Sequence, residues 1–168
     1  MKNFKEFKIP FIGLKEGEHT YQFEIDKKFF DSFGFEDFND AIFQVDVVLA
    51  KKSTMMELHF HAEGQVNVPC DVSGEDFDLK VKDQFFLVVK FGESFDNSDD
   101  ELLILPHGAY EIELQQYIYE LLVLAVPQKR VKKGAKLESD QTLKSQNKIE
   151  HKSDIDPRWD QLKKLLGK

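Results

Sequence analysis

All but one of the aromatic residues lie in the first three quarters of the chain, and this limits where a core can form. The sequence has 168 residues with 16 Phe, 4 Tyr and 1 Trp, and only Trp159 lies beyond residue 126. Hydrophobic residues make up 41% of the chain, which is enough for one packed domain. We therefore expect a folded body over residues 1–127, followed by a tail that adds little to the core.

Charge divides the chain at the same place. Residues 1–126 carry 11 basic and 25 acidic residues, a net charge of −14, whereas residues 127–168 carry 12 basic and 6 acidic residues. An acidic body joined to a basic tail suggests a charged partner. No run approaches the roughly 18–20 apolar residues of a membrane span, and the N-terminus lacks the apolar stretch of a signal peptide. We expect a soluble, cytoplasmic protein with no membrane partner.

Alternating apolar and polar residues predict strands over most of the body. Residues 7–11 and 21–25 alternate on either side of a polar turn that contains Gly17, so we predict an N-terminal hairpin. Three longer stretches rich in β-branched and aromatic residues follow, separated by turn signals. These stretches, at residues 41–49, 55–68 and 77–91, predict a meander of antiparallel strands.

The helix predictions complete the fold. Residues 26–33 predict a short helix that Asp26 caps and Gly34 stops. The polar residues 93–101 predict a loop, and residues 102–105 a short strand. Apolar residues at three- and four-residue steps over 112–126 predict an amphipathic helix that packs on the sheet. The sequence thus predicts one α+β domain, an antiparallel sheet or incomplete barrel with one packed amphipathic helix.

The tail divides into two predicted parts. Residues 128–154 have few apolar side chains and no aromatic ones, so we predict a disordered basic linker. Residues 155–168 predict a short helix with Asp156 as N-cap and Pro157 in its first turn. Its apolar face consists of Trp159, Leu162, Leu165 and Leu166. Because so short a helix is marginal alone, we expect it to dock on the body, to dock on a partner, or to be frayed.

The start of the tail is the best candidate for contact with nucleic acid. It holds five cations and no acid within nine residues: Lys129, Arg130, Lys132, Lys133 and Lys136. Such a cluster can bind RNA phosphates without sequence preference, and the absence of aromatic residues argues against base stacking. Two alternatives stay open, a solubilising linker and a segment that folds back on the acidic body.

The sequence offers little to an enzyme or a metal centre. Cys70 is the only thiol, and Asp71 and Glu75 beside it are expected to raise its pKa, so we interpret it as structural. His59 and His61 lie on one face of a predicted strand, where we expect them to face solvent. The two histidines would need a third and a fourth ligand to hold a metal, and the sequence marks neither. We therefore do not expect a metal-dependent enzyme centred on His59, His61 and Cys70. We expect no catalysis, metal, cofactor or small-molecule substrate.

Three segments carry a resemblance to a known family. The sequence IDPRWDQLKKL over residues 155–165 resembles the closing motif of the YceD family, the large-ribosomal-RNA accumulation proteins of bacteria and chloroplasts. VNVPCD over residues 66–71 is similar to the strand that leads into the first cysteine of that family, and residues 111–127 resemble its following helix. Six residues of this closing motif are our candidates for docking a partner: Asp156, Pro157, Arg158, Trp159, Leu162 and Leu165.

The resemblance also implies a function. Ser73 stands where the second cysteine of the family's C-x-R-C element would be, which argues against a zinc or redox role here. The family implies a non-enzymatic factor of ribosome biogenesis that supports accumulation or processing of large-subunit rRNA. The tail would then face rRNA or its precursor, and the acidic body would suit a basic ribosomal protein or assembly factor. The alternative is an acidic adapter or chaperone for a basic ribosomal protein, without RNA contact.

Overall fold

The structure, a computed structural model, describes residues 7–134. The strands within this range are β1 (Lys8–Pro10), β2 (Gly17–Asp26), β3 (Asp40–Lys51), β4 (Met55–Pro69), β5 (Asp76–Gly92), β6 (Asp96–Asp99), β7 (Leu102–Pro106) and β8 (Glu111–Glu113). The helices are α1 (Lys27–Asp31) and α2 (Gln115–Ala125). Lys136, most of the predicted linker and the whole closing helix lie outside the described residues.

A six-stranded open sheet forms the frame, with the strand order β2-β3-β4-β5-β7-β6. From β2 to β5 each strand pairs antiparallel with the next, which confirms the predicted meander. Apolar side chains alternate into the core along these strands, with Val45, Val47 and Leu49 of β3 fully buried. The α+β class is confirmed, and the sheet is open.

The predicted N-terminal hairpin is wrong. β1 pairs antiparallel with β8, far away in sequence, and β2 pairs with β3 instead. Ile9 lies opposite Ile112, and both are buried, while the ammonium of Lys8 lies 2.8 Å from Glu111 and 2.5 Å from Glu113. Alternation identified β1 as a strand, but local spacing carries no information about a partner that packing and charge select over a hundred residues away.

The region after β5 also differs from prediction. Asp96–Asp99, predicted as part of a loop, forms the fully exposed edge strand β6. β7 lies between β5 and β6 and runs parallel to β5, so the sheet is not wholly antiparallel. Edge strands need only one partner and bury little, so the polar residues of β6 gave no strand signal.

The two helices follow the predictions with shorter bounds. α1 ends at Asp31, and Gly34 beyond it adopts the positive φ of 72° that favours glycine, as predicted for its stop. α2 begins at Gln115 because Ile112, which fitted the helical spacing, lies in β8. Ile118, Leu121 and Leu122 form the buried face of α2, which packs on β4 and β5 as predicted.

An aromatic cluster joins both helices to the sheet. The rings of Phe33 and Tyr119 are stacked with centroids 4.1 Å apart. Phe30 packs edge-on to Phe38 at 5.1 Å and also contacts Phe43 of β3. Because each pair contributes about 0.5–1.5 kcal/mol beyond its buried area, this cluster holds the loop after α1 firmly against the body.

Candidate functional site

The turn between β4 and β5, here called the 70–75 turn, receives the start of the basic tail. The turn is closed by hydrogen bonds from Gly74 N–H to the Cys70 carbonyl (2.8 Å) and from Cys70 N–H to the Glu75 carbonyl (2.9 Å). Gly74 has a φ of +71°, a conformation that side-chain-bearing residues rarely adopt. The result is a tight turn whose backbone and carboxylates face residues 130–132.

Backbone hydrogen bonds hold the tail on this turn. Asp71 N–H donates to the Arg130 carbonyl at 2.8 Å, and Arg130 N–H donates to the Asp71 carboxylate at 2.6 Å. Lys132 N–H donates to the sulfur of Cys70 at 3.4 Å. This contact joins residues that are about sixty positions apart, so the tail is fixed to the body up to residue 132.

Side-chain contacts add opposite charges to the same place. The Lys132 ammonium lies 3.0 Å from the Glu75 carboxylate. The Arg130 guanidinium lies 5.8 Å from the ring centroid of Phe38 and 4.0 Å from the carboxylate of Asp37. The Arg130 side chain is only 19% exposed, so it is part of the body.

The five predicted cations of the tail therefore separate into different groups. Arg130 and Lys132 fold back on the acidic body, one of the arrangements left open by the sequence. Lys129 and Lys133 are exposed to solvent. Lys136 lies outside the described residues.

The predicted direction of the Cys70 pKa shift is wrong, because the pKa is lowered and not raised. Its side chain is buried, but hydrogen bonds lower the pKa from 9.0 to about 7. The largest contribution comes from the side chain of Ser73, followed by the backbone N–H of Lys132. These donors stabilise the thiolate more than burial destabilises it. The residue at the position of the missing second cysteine thus contacts Cys70 by hydrogen bonding.

The histidines are not brought together into a metal site. His59 is exposed on the outer face of β4 with its ring 4.6 Å from that of Phe86, and His61 lies on the same face. Within residues 7–134, no group of three or more His, Cys, Asp or Glu could hold a metal ion. The solvent-facing position predicted for His59 is confirmed.

A second acidic surface, which the sequence did not reveal, lies between β6, β8 and α2. It consists of two adjoining cavities of about 370 and 410 Å³ that share Asp100, Tyr117 and Glu120, and we call it the acidic groove. Its apolar lining includes Phe95, which is 59% exposed, and Leu124, which is 80% exposed. Further carboxylates line it: Asp83, Asp99, Glu111 and Glu113.

Comparison with known protein families shows which family the chain belongs to. The model of the large ribosomal RNA subunit accumulation protein YceD matches residues 58–166, more than half of the chain. The chain belongs to the YceD family. The matched region begins within β4 and contains all three segments that carry the resemblance, whereas β1, β2 and β3 precede it. The YceD-matched part therefore includes both the 70–75 turn and the acidic groove.

The other comparisons give no second relative for this YceD chain. No curated protein and no solved structure matches it. Over residues 7–134, none of the helices is long and apolar enough to cross a membrane. The family description connects the chain with accumulation of large-subunit rRNA.

Proposed function

We propose that this chain is a non-enzymatic factor of ribosome biogenesis, which supports large-subunit rRNA accumulation by binding a basic ribosomal protein or assembly factor through its acidic body. The observation that carries this proposal is the 70–75 turn. There Glu75 pairs with the Lys132 ammonium, Asp37 lies 4.0 Å from the Arg130 guanidinium, and Asp71 accepts the backbone N–H of Arg130. A surface that binds Arg130 and Lys132 in this way has the chemistry to bind basic segments.

Charge favours a protein over RNA as the partner of the body. Residues 1–126 have a net charge of −14, which repels phosphate at long range and attracts the Lys- and Arg-rich segments of ribosomal proteins. Complementary charge of this kind speeds association and selects partners. A basic protein of the large subunit would present such a segment, and its delivery to rRNA would support accumulation of the subunit. Binding of a basic protein is thus a physical route to rRNA accumulation.

A second candidate function is direct contact between the tail and rRNA or its precursor. The exposure of Lys129 and Lys133 supports it, with Lys136 as a third candidate. Each phosphate contact contributes about 0.7–0.9 to the slope of log affinity against log salt concentration. Neutralising the three lysines should flatten this slope equally for every RNA sequence tested. If the chain has no measurable RNA affinity at low salt, this candidate is excluded.

The closing motif is a further candidate for docking a partner. Its residues Asp156, Pro157, Arg158, Trp159, Leu162 and Leu165 lie outside the described residues, and their docking role is a prediction from the sequence. Trp159→Ala removes the largest apolar group of the motif. If the motif docks a partner, this variant loses large-subunit accumulation while the melting temperature of the protein stays unchanged.

Sedimentation of ribosomes from depleted cells tests the proposed function. Depletion of the chain should lower the large subunit relative to the small one, and the tagged chain should sediment with large-subunit precursors. Expression of the wild-type chain should restore the ratio. A normal ratio of subunits after complete depletion would contradict the proposal.

A further inference from the structure

We propose that the acidic groove binds a segment of a partner protein that combines Lys or Arg with large apolar side chains, in the manner of a basic amphipathic helix. This inference rests on the proposed function, because it takes the partner to be a basic protein, and it assigns the surface that binds it. The segment would place apolar side chains against Tyr117 and its cations beside Asp100 and Glu120.

Within residues 7–134, the groove has large apolar side chains that remain exposed to solvent. Tyr117, which is partly buried, and Leu124 are seven residues apart on α2, so they lie on one side of the helix and form an apolar stripe with the buried Leu121 between them. Leu124 is 80% exposed, and Phe95 across the first cavity is 59% exposed. Large apolar side chains exposed around a concave surface mark an interaction site. Cavities of 370 and 410 Å³ are large enough to take several side chains of a partner.

The charges select the kind of partner. Six carboxylates line the two cavities, and the described part of the chain places no Lys, Arg or His in either lining. Lys8 already pairs with Glu111 and Glu113. Asp99, Asp100 and Glu120 form no ion pair with another described residue. An apolar partner would gain nothing from these three charges, and RNA would be repelled, whereas a basic amphipathic segment satisfies both parts of the surface.

A binding assay on the full chain tests the groove. The probe is a synthetic amphipathic peptide of about 15 residues made of Lys and Leu, compared with a scrambled peptide of the same composition and charge. We expect the amphipathic peptide to bind more tightly than the scrambled one. Asp100→Asn combined with Glu120→Gln should weaken this binding about tenfold and reduce its salt dependence, and Leu124→Ala should weaken it about fivefold.

Matched controls lie in and before β2, at the opposite edge of the sheet. Glu16→Gln with Glu18→Gln removes the same charge from exposed positions, and Ile12→Ala removes an apolar side chain that is 66% exposed. Both controls should bind the peptide as the wild-type chain does. Equal affinity for the amphipathic and the scrambled peptide would overturn the proposal that the groove binds such a segment. An equal loss of affinity in the control variants would overturn it too.

Occupation by a second copy of the chain is the competing explanation of the apolar stripe. Analytical ultracentrifugation of the wild-type chain should show monomers, and a dimer that Leu124→Ala dissociates would overturn the proposal. The assay contains no ribosome or RNA. A negative result would therefore contradict binding at the groove only. The proposed function would still be tested separately by sedimentation of ribosomes from depleted cells.

Discussion

The 70–75 turn and the acidic groove are two acidic surfaces of one body, and they differ in what covers their charges. At the turn, Asp71 and Glu75 are hydrogen-bonded or ion-paired to the chain's own residues 130 and 132. In the groove, Asp100 and Glu120 have no cationic partner among the described residues, and apolar side chains stand exposed beside them. At the turn the acidic body holds a basic segment of its own chain, and we propose that the groove binds a segment of another protein.

The two surfaces also differ in how they connect to the core. The Arg130 guanidinium at the turn lies over Phe38, which belongs to the aromatic cluster and is 2% exposed. Phe95 at the groove protrudes into solvent. We therefore expect the occupied surface to contribute to folding and the open one to binding, and this difference can be measured.

The largest expected effect separates the two aromatic residues. Phe38→Ala should lower the free energy of unfolding by about 3–5 kcal/mol, because it leaves a cavity under Arg130 and beside Phe30. Phe95→Ala should change it by less than about 0.5 kcal/mol, because the side chain is mostly in water already. Urea denaturation of the two variants measures both values. Similar losses in both would break the distinction between the surfaces.

A smaller effect is expected at the contact between tail and turn. Arg130→Ala should cost about 1–2 kcal/mol, since it removes a largely buried side chain that contacts Phe38 and Asp37. Lys129→Ala, one residue earlier and exposed, should cost less than about 0.5 kcal/mol. Thermal melts of the matched pair measure the difference. Equal melting temperatures would mean that the tail contact contributes nothing to folding.

A third expected effect is a pH dependence from Cys70. Hydrogen bonds from Ser73 and Lys132 lower the pKa of this thiol to about 7 in the folded chain, compared with an ordinary value of 9.0. The thiolate therefore stabilises the fold fully above pH 9, and this contribution is lost as the pH falls to about 7. The free energy of unfolding of the wild-type chain, relative to that of Cys70→Ser, should therefore increase as the pH is raised from about 7 to 9. Parallel stability profiles of the two proteins would show that the pKa is not lowered.

The long strands were predictable because their residues alternate where burial alternates. β3, β4 and β5 each have one face in the core and one in solvent, so a period of two appears in the sequence. The partner of β1 was not predictable, because nothing in the residues around Ile112 indicates that this residue lies opposite Ile9. β6 was missed because an exposed edge strand needs no apolar residues.

The candidate surfaces were predictable only where their parts are close in sequence. The cations of residues 129–136 stand together, so the sequence revealed them, but it could not say that Arg130 returns to Asp71. The sign of the Cys70 pKa shift was missed because nearby acids are visible in the sequence, whereas the two main donors, the Ser73 side chain and the Lys132 N–H from sixty residues away, are placed at the sulfur only by the fold. The acidic groove combines residues from β5, the β6 region, β8 and α2, which meet only in the folded chain.

The central claim is that the acidic body, through its open groove, carries the function in rRNA accumulation, and one comparison in cells tests it most directly. Cells that lack the wild-type chain express one of two variants. In the groove variant Asp99, Asp100 and Glu120 are changed to Lys, and in the tail variant Lys129, Lys133 and Lys136 are changed to Glu. The ratio of large to small subunit is then measured by sedimentation, with expression and melting temperature of both variants checked. We predict that the groove variant lowers the ratio as depletion does, and that the tail variant leaves it normal. A normal ratio with the groove variant and a lowered one with the tail variant would contradict the account and assign the function to RNA contact by the tail.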